Sequence, residues 1–275
     1  MWARLILGFL FVASVAGSFY FDPARDRSLL AMRPSDGPRL RLMTWNIGYA
    51  TLEDDSRAHT SDLGSVARTI SRFDPDAVAL QELTGPDQLQ VLLGRLGSRY
   101  RGAVTTRGSS DRIEAILVKD RDARFEDIPS GDRYAMSATF RVAAGKPDVV
   151  LISAHADAFN AARRRAFTGD VVDWARQRLG KSVLFVAGDF NFDVNSQNRS
   201  NLFTDNLKHD SESYSYILKY FRDLGRDAGP TALGDRRIDY IFGQPEVSLF
   251  RKAEVLKGAA VGKMDHLPLF VEVVL

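Results

Sequence analysis

The chain has 275 residues, 45% hydrophobic and 26% charged, enough for one large α/β domain with a substantial core. Its formal net charge is only +2, so no global polybasic character marks it as a nucleic-acid binder, and any field that holds phosphate has to be local. It contains no cysteine, which excludes disulfides, thiol catalysis and thiolate zinc sites; with four histidines, a metal site would rest mainly on carboxylates, amides and water, which suits a hard ion such as Mg²⁺ or Ca²⁺.

Leu5 to Phe21 is almost wholly apolar, follows Arg4, and contains the small-residue run Ala13-Ser14-Val15-Ala16-Gly17. Residues 1–21 therefore read as a signal peptide or as an uncleaved membrane anchor, and either places the domain outside the cytoplasm. Residues 22–38 are rich in Arg, Asp and Pro and read as a linker, which leaves residues 39–275 for the folded domain. From Arg39 onward, strand and helix patterns alternate. A strand is predicted over Leu40–Ile47, a helix where Leu63, Val66, Ala67, Ile70 and Phe73 recur at helical spacing, and a short strand over Asp76–Gln81. Leu89, Leu92, Leu93 and Leu96 mark the next helix. Further strands are predicted over Arg112–Lys119, Ser137–Val142, Asp148–His155, Ser182–Ala187, Ile238–Phe242 and Leu269–Val274, with a helix over Arg163–Leu179. The basic run Arg163-Arg164-Arg165 at the start of that helix reads as a solvated face. Residues 195–234 are polar and are expected to combine a surface loop with a short helix. Their later aromatics, Tyr214, Tyr216, Tyr220 and Phe221, either join the core or meet a lipid interface.

The chemistry-bearing residues sit where apolar runs end. Asn46 follows Thr44-Trp45, Glu82 follows Ala77 to Gln81, and His155 follows Val149 to Ala154. Asp189 and Asn191 close the run that begins at Val183; Asp239 lies in Arg237-Ile238-Asp239-Tyr240, and Asp265 stands beside His266 near the end. Any one of these is more often a turn or a helix cap than a catalyst. Six such positions in one chain ask for another explanation. Acids, amides and histidines delivered at strand tips are the equipment for hydrolysing a phosphate ester with a divalent metal.

As an ordered set, Thr44-Trp45-Asn46-Ile47, Leu80-Gln81-Glu82, Gly188-Asp189-Phe190-Asn191, Arg237-Ile238-Asp239-Tyr240 and Asp265-His266-Leu267-Pro268 resemble the endonuclease/exonuclease/phosphatase superfamily from about Arg39 to Leu275. The resemblance implies an α/β fold, a four-layer α/β/β/α sandwich of two packed mixed sheets with the active site at one edge. It also implies hydrolysis of phosphodiesters or phosphomonoesters supported by Mg²⁺, with Mn²⁺ or Ca²⁺ as alternatives. Glu82 is then the leading metal carboxylate, with Asn46 and Asp265 as ligands directly or through water. Asp189 would orient or deprotonate the attacking water, and Asn191 would donate to a phosphate oxygen. Asp239 would hold His266 in the tautomer that addresses the phosphate.

Ser153-Ala154-His155-Ala156 resembles the branch with a strand-end histidine, which includes deoxyribonuclease I and bacterial sphingomyelinases. Glu114 matches the acid that pairs with this histidine in deoxyribonuclease I, and Arg133 resembles its phosphate-contacting arginine; their bland alternatives are a solvated strand residue and a surface charge. If the pair forms, Glu114 raises the pKa of His155 and keeps it protonated as general acid. The implied function is a monomeric, exported or membrane-anchored endonuclease acting on DNA. The alternatives are a sphingomyelinase-like phospholipid phosphodiesterase or phosphoinositide phosphatase, with phospholipid or inositol phosphate as partner, and a non-catalytic binding module.

Overall fold

The structure is a computed structural model that describes residues 37–48, 56–106, 112–194, 206–262 and 264–275. The expected signal or anchor segment and nearly all of the expected linker lie outside the described residues. The elements in chain order are β1 (Arg39–Asn46), α1 (Ser56–Phe73), β2 (Ala77–Leu83), α2 (Pro86–Leu96), β3 (Tyr100–Val104), β4 (Ile113–Lys119), β5 (Ala123–Ser130), β6 (Arg133–Phe140) and β7 (Asp148–His155). They continue with α3 (Ala161–Arg176), β8 (Ser182–Asp189), α4 (Leu207–Ile217), β9 (Arg222–Asp223), β10 (Asp239–Gly243), β11 (Ser248–Leu249), β12 (Glu254–Val255) and β13 (Leu269–Val274).

Two mixed sheets form. The first runs β11-β13-β1-β2-β4-β3, with β12 also paired to β13; the second runs β5-β6-β7-β8-β10-β9. β1 pairs in parallel with β2 and β7 with β8, and the other pairings are antiparallel. The side-chain period of two decides what each strand covers. Leu40, Leu42, Ala77, Ala79, Val149, Leu151, Phe185 and Ala187 meet between the sheets. Their neighbours in sequence point the other way. Met43, Trp45, Val78 and Leu80 lie under Leu63, Val66 and Ile70 of α1 and Leu89 and Leu92 of α2. Val150, Ile152, Leu184 and Val186 lie under Phe167, Val171 and Val172 of α3 and Ile217 of α4. Central strands buried on both faces therefore read as continuous apolar runs, and each such side chain contributes roughly 1.5–3 kcal/mol of burial. The result is the four-layer sandwich.

Several expectations are corrected. β3 and β5 were not anticipated, nor were the two-residue strands β9, β11 and β12. β5 alternates exposed positions with half-buried or buried ones at the sheet edge and carries Pro129, so it lacks the apolar run that marks the central strands. The loop-plus-helix expectation for 195–234 is met by α4, although residues 195–205 lie outside the described set. Phe221 is buried, and Tyr214, Tyr216 and Tyr220 pack against the same cluster, so these aromatics serve the core and not a lipid interface. Arg164 is the sharpest correction: far from belonging to a solvated face, it is 0% exposed and paired with Asp210 of α4. No helix among the described residues is long and apolar enough to cross a membrane.

Candidate active site

The parallel pairs β1/β2 and β7/β8 end at the same edge of the sandwich, and this is where the polar residues converge. Asn46 ends β1, Glu82 lies near the end of β2, His155 ends β7, and Asp189 ends β8. From the antiparallel strands come Glu114 near the start of β4, Asp239 at the start of β10, and His266 just before β13. The backbone is bent to present two of them: Glu82 has φ 63° beside a bulge in β2, and Asn191 has φ 52° just past β8. Gly188 has φ 142°, and a Cβ there would run into the Ala154 backbone, so glycine lets β8 close on β7 at the site end.

At the centre, Asn46 Nδ2 donates to Glu82 Oε1 and to Asp189 Oδ2, each at 3.0 Å. Its Oδ1 accepts from the Gly48 N–H at 2.9 Å. Asn46 is thus placed as a donor that draws two carboxylates together. Turned over, its oxygen would face both carboxylates, which is favourable only with a cation between them. Asp189 Oδ1 also accepts from the Asn191 N–H at 2.8 Å, and Asn191 Nδ2 donates to the Ala156 carbonyl at 3.1 Å. Burial pushes the Asp189 carboxyl above its ordinary value despite the nearby histidines.

His266 Nδ1 lies 2.8 Å from Asp239 Oδ2, and its Nε2 lies 3.7 Å from Asp189 Oδ2. Burial disfavours its charge, but the carboxylates of Asp239 and Asp189 overcome this and push its pKa up to about 10. Asp239 and Asp189 thus favour the imidazolium form. Its carbonyl accepts from Trp45 Nε1 at 3.2 Å, and Thr231 Oγ1 accepts from the Asp239 N–H at 3.0 Å. Both are positioning contacts that motif reading did not find. Asp265 is half-buried and joins neither of the carboxylate–histidine groups at the site. It adds to the field that charges His266.

On the other side, His155 Nε2 is 3.5 Å from Glu82 Oε1 and 3.8 Å from Asp189 Oδ2, and its Nδ1 is 3.8 Å from Glu114 Oε1. Glu114 is buried, which rules out the solvated-strand alternative. Its expected effect on His155 does not appear. Burial pushes Glu114 up to about 8, which favours its protonated form, and burial lowers His155 despite Asp189 and Glu82. Both shifts favour the neutral forms where an ion pair was expected. Arg133 Nη1 donates to the His155 carbonyl at 3.2 Å, so it belongs to the site rim and is more than a surface charge.

Glu82 carries the charge a cation needs. Burial opposes its ionisation, but His155, the Asn46 amide and Arg112 outweigh burial and hold its pKa below the ordinary value. Arg112 Nη1 donates to Glu82 Oε2, a contact no strand-end pattern reveals. Gly48 packs so closely that a Cβ would collide with the Glu82 carboxylate. Ligand atoms of Glu82, His155 and Asp189 lie within 4.8 Å of one another, as do those of Asp189, Asp239 and His266. Two carboxylates with one imidazole suit a divalent cation, and Asp239 Oδ1 is buried without a hydrogen-bond partner beside them.

A family model described as Endonuclease/Exonuclease/phosphatase family matches residues 43–260. The chain belongs to this family. No curated protein matches it in sequence. Among solved structures, it is similar to an endonuclease/exonuclease/phosphatase from Bacteroides vulgatus, at 20% identity and TM-score 0.65, over 86% of this chain and 99% of that one. It is similar to truncated Caenorhabditis elegans TDP2 at 19% identity and TM-score 0.64, over 86% and 98%. It is also similar to the human Nocturnin catalytic domain, solved with a bound sulfate anion, at 18% identity and TM-score 0.65, over 86% and 94%. At these identities the likeness establishes the family's fold; the chemistry is argued from the site. Membership makes the chain a hydrolase of phosphodiester or phosphate bonds.

Proposed function

We propose that the chain is a divalent-metal-dependent endonuclease acting on DNA, exported or membrane-anchored through residues 1–21. The observation that carries the nuclease reading is the row along the sheet edge: Arg133 and Glu114, then His155 with Glu82, then Asp189 with Asn46, then Asp239 with His266. Adjacent strands lie about 4.8 Å apart, so Arg133 on β6 stands two strands, roughly 10 Å, from Asp189 on β8. That spacing fits a polymer whose neighbouring phosphate is gripped while another is cut. Phosphate contacts of this kind position a strand without reading its bases, so little sequence preference is expected.

Glu82 and Asp189, with His155, are the residues that would hold Mg²⁺ or Mn²⁺. Such an ion supplies a Lewis acid that neutralises charge on the phosphoryl oxygens. Asp189, whose burial raises its basicity, takes the proton from the attacking water. The His266 imidazolium points Nε2 into the site and donates to a phosphoryl or leaving oxygen as charge develops. Asp239 keeps it charged. Arg133 binds an adjoining phosphate.

The lipid reading loses the aromatic surface that favoured it. The binding-module reading has to explain why a full set of acids and histidines is packed at hydrogen-bond range. The test is a substrate panel: plasmid DNA, RNA, sphingomyelin vesicles, phosphoinositides and bis-nitrophenyl phosphate, each with Mg²⁺, Ca²⁺, Mn²⁺ and EDTA. Metal-dependent cutting of DNA supports the proposal, and vesicle-dependent turnover with intact plasmid overturns it.

A further inference from the structure

Among the described residues, Phe159 is the most exposed large apolar side chain, at 79%. It lies four residues past His155, so at 3.8 Å per residue its Cα is within about 15 Å of the histidine's. The turn that carries it is braced. Buried Asp157 accepts through Oδ1 from the Phe159 and Asn160 N–H groups at 2.8 and 2.9 Å. Its Oδ2 lies 3.5 Å from Arg133 Nη2 and 3.9 Å from Arg163 Nη1. Its carbonyl accepts from Arg164 Nη1 at 2.8 Å, and Arg164 is locked by Asp210. Arg133 in turn donates to the His155 carbonyl. Phe159 is therefore tied to the active site through Asp157 and Arg133, while its ring stands in water.

A single ring is too small for a protein partner, which needs roughly 800 Å² on each side. Its neighbours do not suit a bilayer: Asn160 and Ala162 beside it are exposed, and Arg163 is held by the exposed carboxylate of Asp132. The chemistry that does fit is a planar aromatic group joined to phosphates, because the guanidinium groups of Arg133 and Arg163 both reach the Asp157 carboxylate that braces this turn and the neighbouring site cuts phosphodiesters. We infer that Phe159 is the stacking platform for an unpaired base next to the scissile phosphodiester. This rests on the nucleic-acid reading above and narrows it: single-stranded or frayed DNA is the better substrate, since a base inside a duplex has both faces covered.

The test is a double cycle with the full chain, Mg²⁺ and a short single-stranded DNA whose bases flanking the cleaved bond are present or replaced by an abasic analogue. Stacking on one aromatic side chain sets the scale, so Phe159→Ala raises KM by roughly 5- to 150-fold. Removing the base raises the KM of the unaltered enzyme by a similar factor, and the two losses do not add. Phe159→Trp restores the original KM. Additive losses, or Phe159→Leu binding as well as phenylalanine, overturn the inference while strand cleavage itself stands. If no oligonucleotide is cut under any condition, the nucleic-acid reading falls and the inference falls with it.

Discussion

Replacing Arg164 by methionine should destabilise the domain far more than its place in a basic run suggests. Nε and Nη2 of Arg164 donate to Asp210 Oδ1 at 3.1 and 3.0 Å, and Nη1 donates to the Asp157 carbonyl at 2.8 Å. Both ionic partners are essentially inaccessible to water. Methionine fills much of the same space but leaves the Asp210 carboxylate buried with, among the described residues, the Asn206 N–H at 3.0 Å as its remaining hydrogen-bond partner. Breaking a buried pair from one side costs about 3–5 kcal/mol, because one charge stays in the interior uncompensated. For a unit of about 240 residues this lowers Tm by ~6 to 20 °C. Thermal denaturation at neutral pH measures it. Arg164→Met/Asp210→Leu should recover most of the loss, since removing both charges is close to neutral. A single variant within 2 °C of the parent, or a double variant no better than the single, refutes the reasoning.

Other expectations follow from the site. His266→Ala and His155→Ala should each lower kcat by on the order of 10² or more in steady-state kinetics, and half-buried His209 should tolerate alanine. Glu114 has a folded pKa of about 8 against an ordinary 4.5, so the native state binds the extra proton between those values. The stability linked to that proton is complete below pH 4.5 and is lost as pH rises through 8, on the order of 3–5 kcal/mol in total. Denaturant titrations in EDTA should show Glu114→Gln flattening this slope; an unchanged slope would mean the carboxyl is ionised. Arg133→Ala should weaken DNA cleavage more than cleavage of bis-nitrophenyl phosphate and reduce the salt dependence of DNA binding by roughly one unit of slope, and an unaltered slope would remove its phosphate contact.

The sequence was most legible where a strand is buried on both faces. Such strands leave largely apolar runs, and an amide, acid or histidine at the end of each run marks the edge where β1, β2, β7 and β8 end. Side strands such as β5 half-expose their residues and leave no such mark. The partners Asp239 with His266 and Glu114 with His155 lie far apart in sequence and were legible only through the family resemblance. Arg112 reaching Glu82 and Trp45 reaching the His266 carbonyl are tertiary contacts between distant segments, and local sequence carries no record of them. Protonation was harder still. The family resemblance of Glu114 and His155 suggested an ion pair, but the depth of burial that disfavours charge on both groups depends on the packed sandwich.

The most direct test of the central claim is nicking of supercoiled plasmid by the full chain and by Glu82→Gln, in Mg²⁺ and in EDTA. Nicking by the unaltered chain in Mg²⁺, abolished by EDTA, restored by added Mg²⁺ or Mn²⁺, and reduced by on the order of 10² or more in Glu82→Gln, is the predicted result. Undiminished nicking in exhaustively chelated buffer, or plasmid left intact while sphingomyelin vesicles are hydrolysed, contradicts the account.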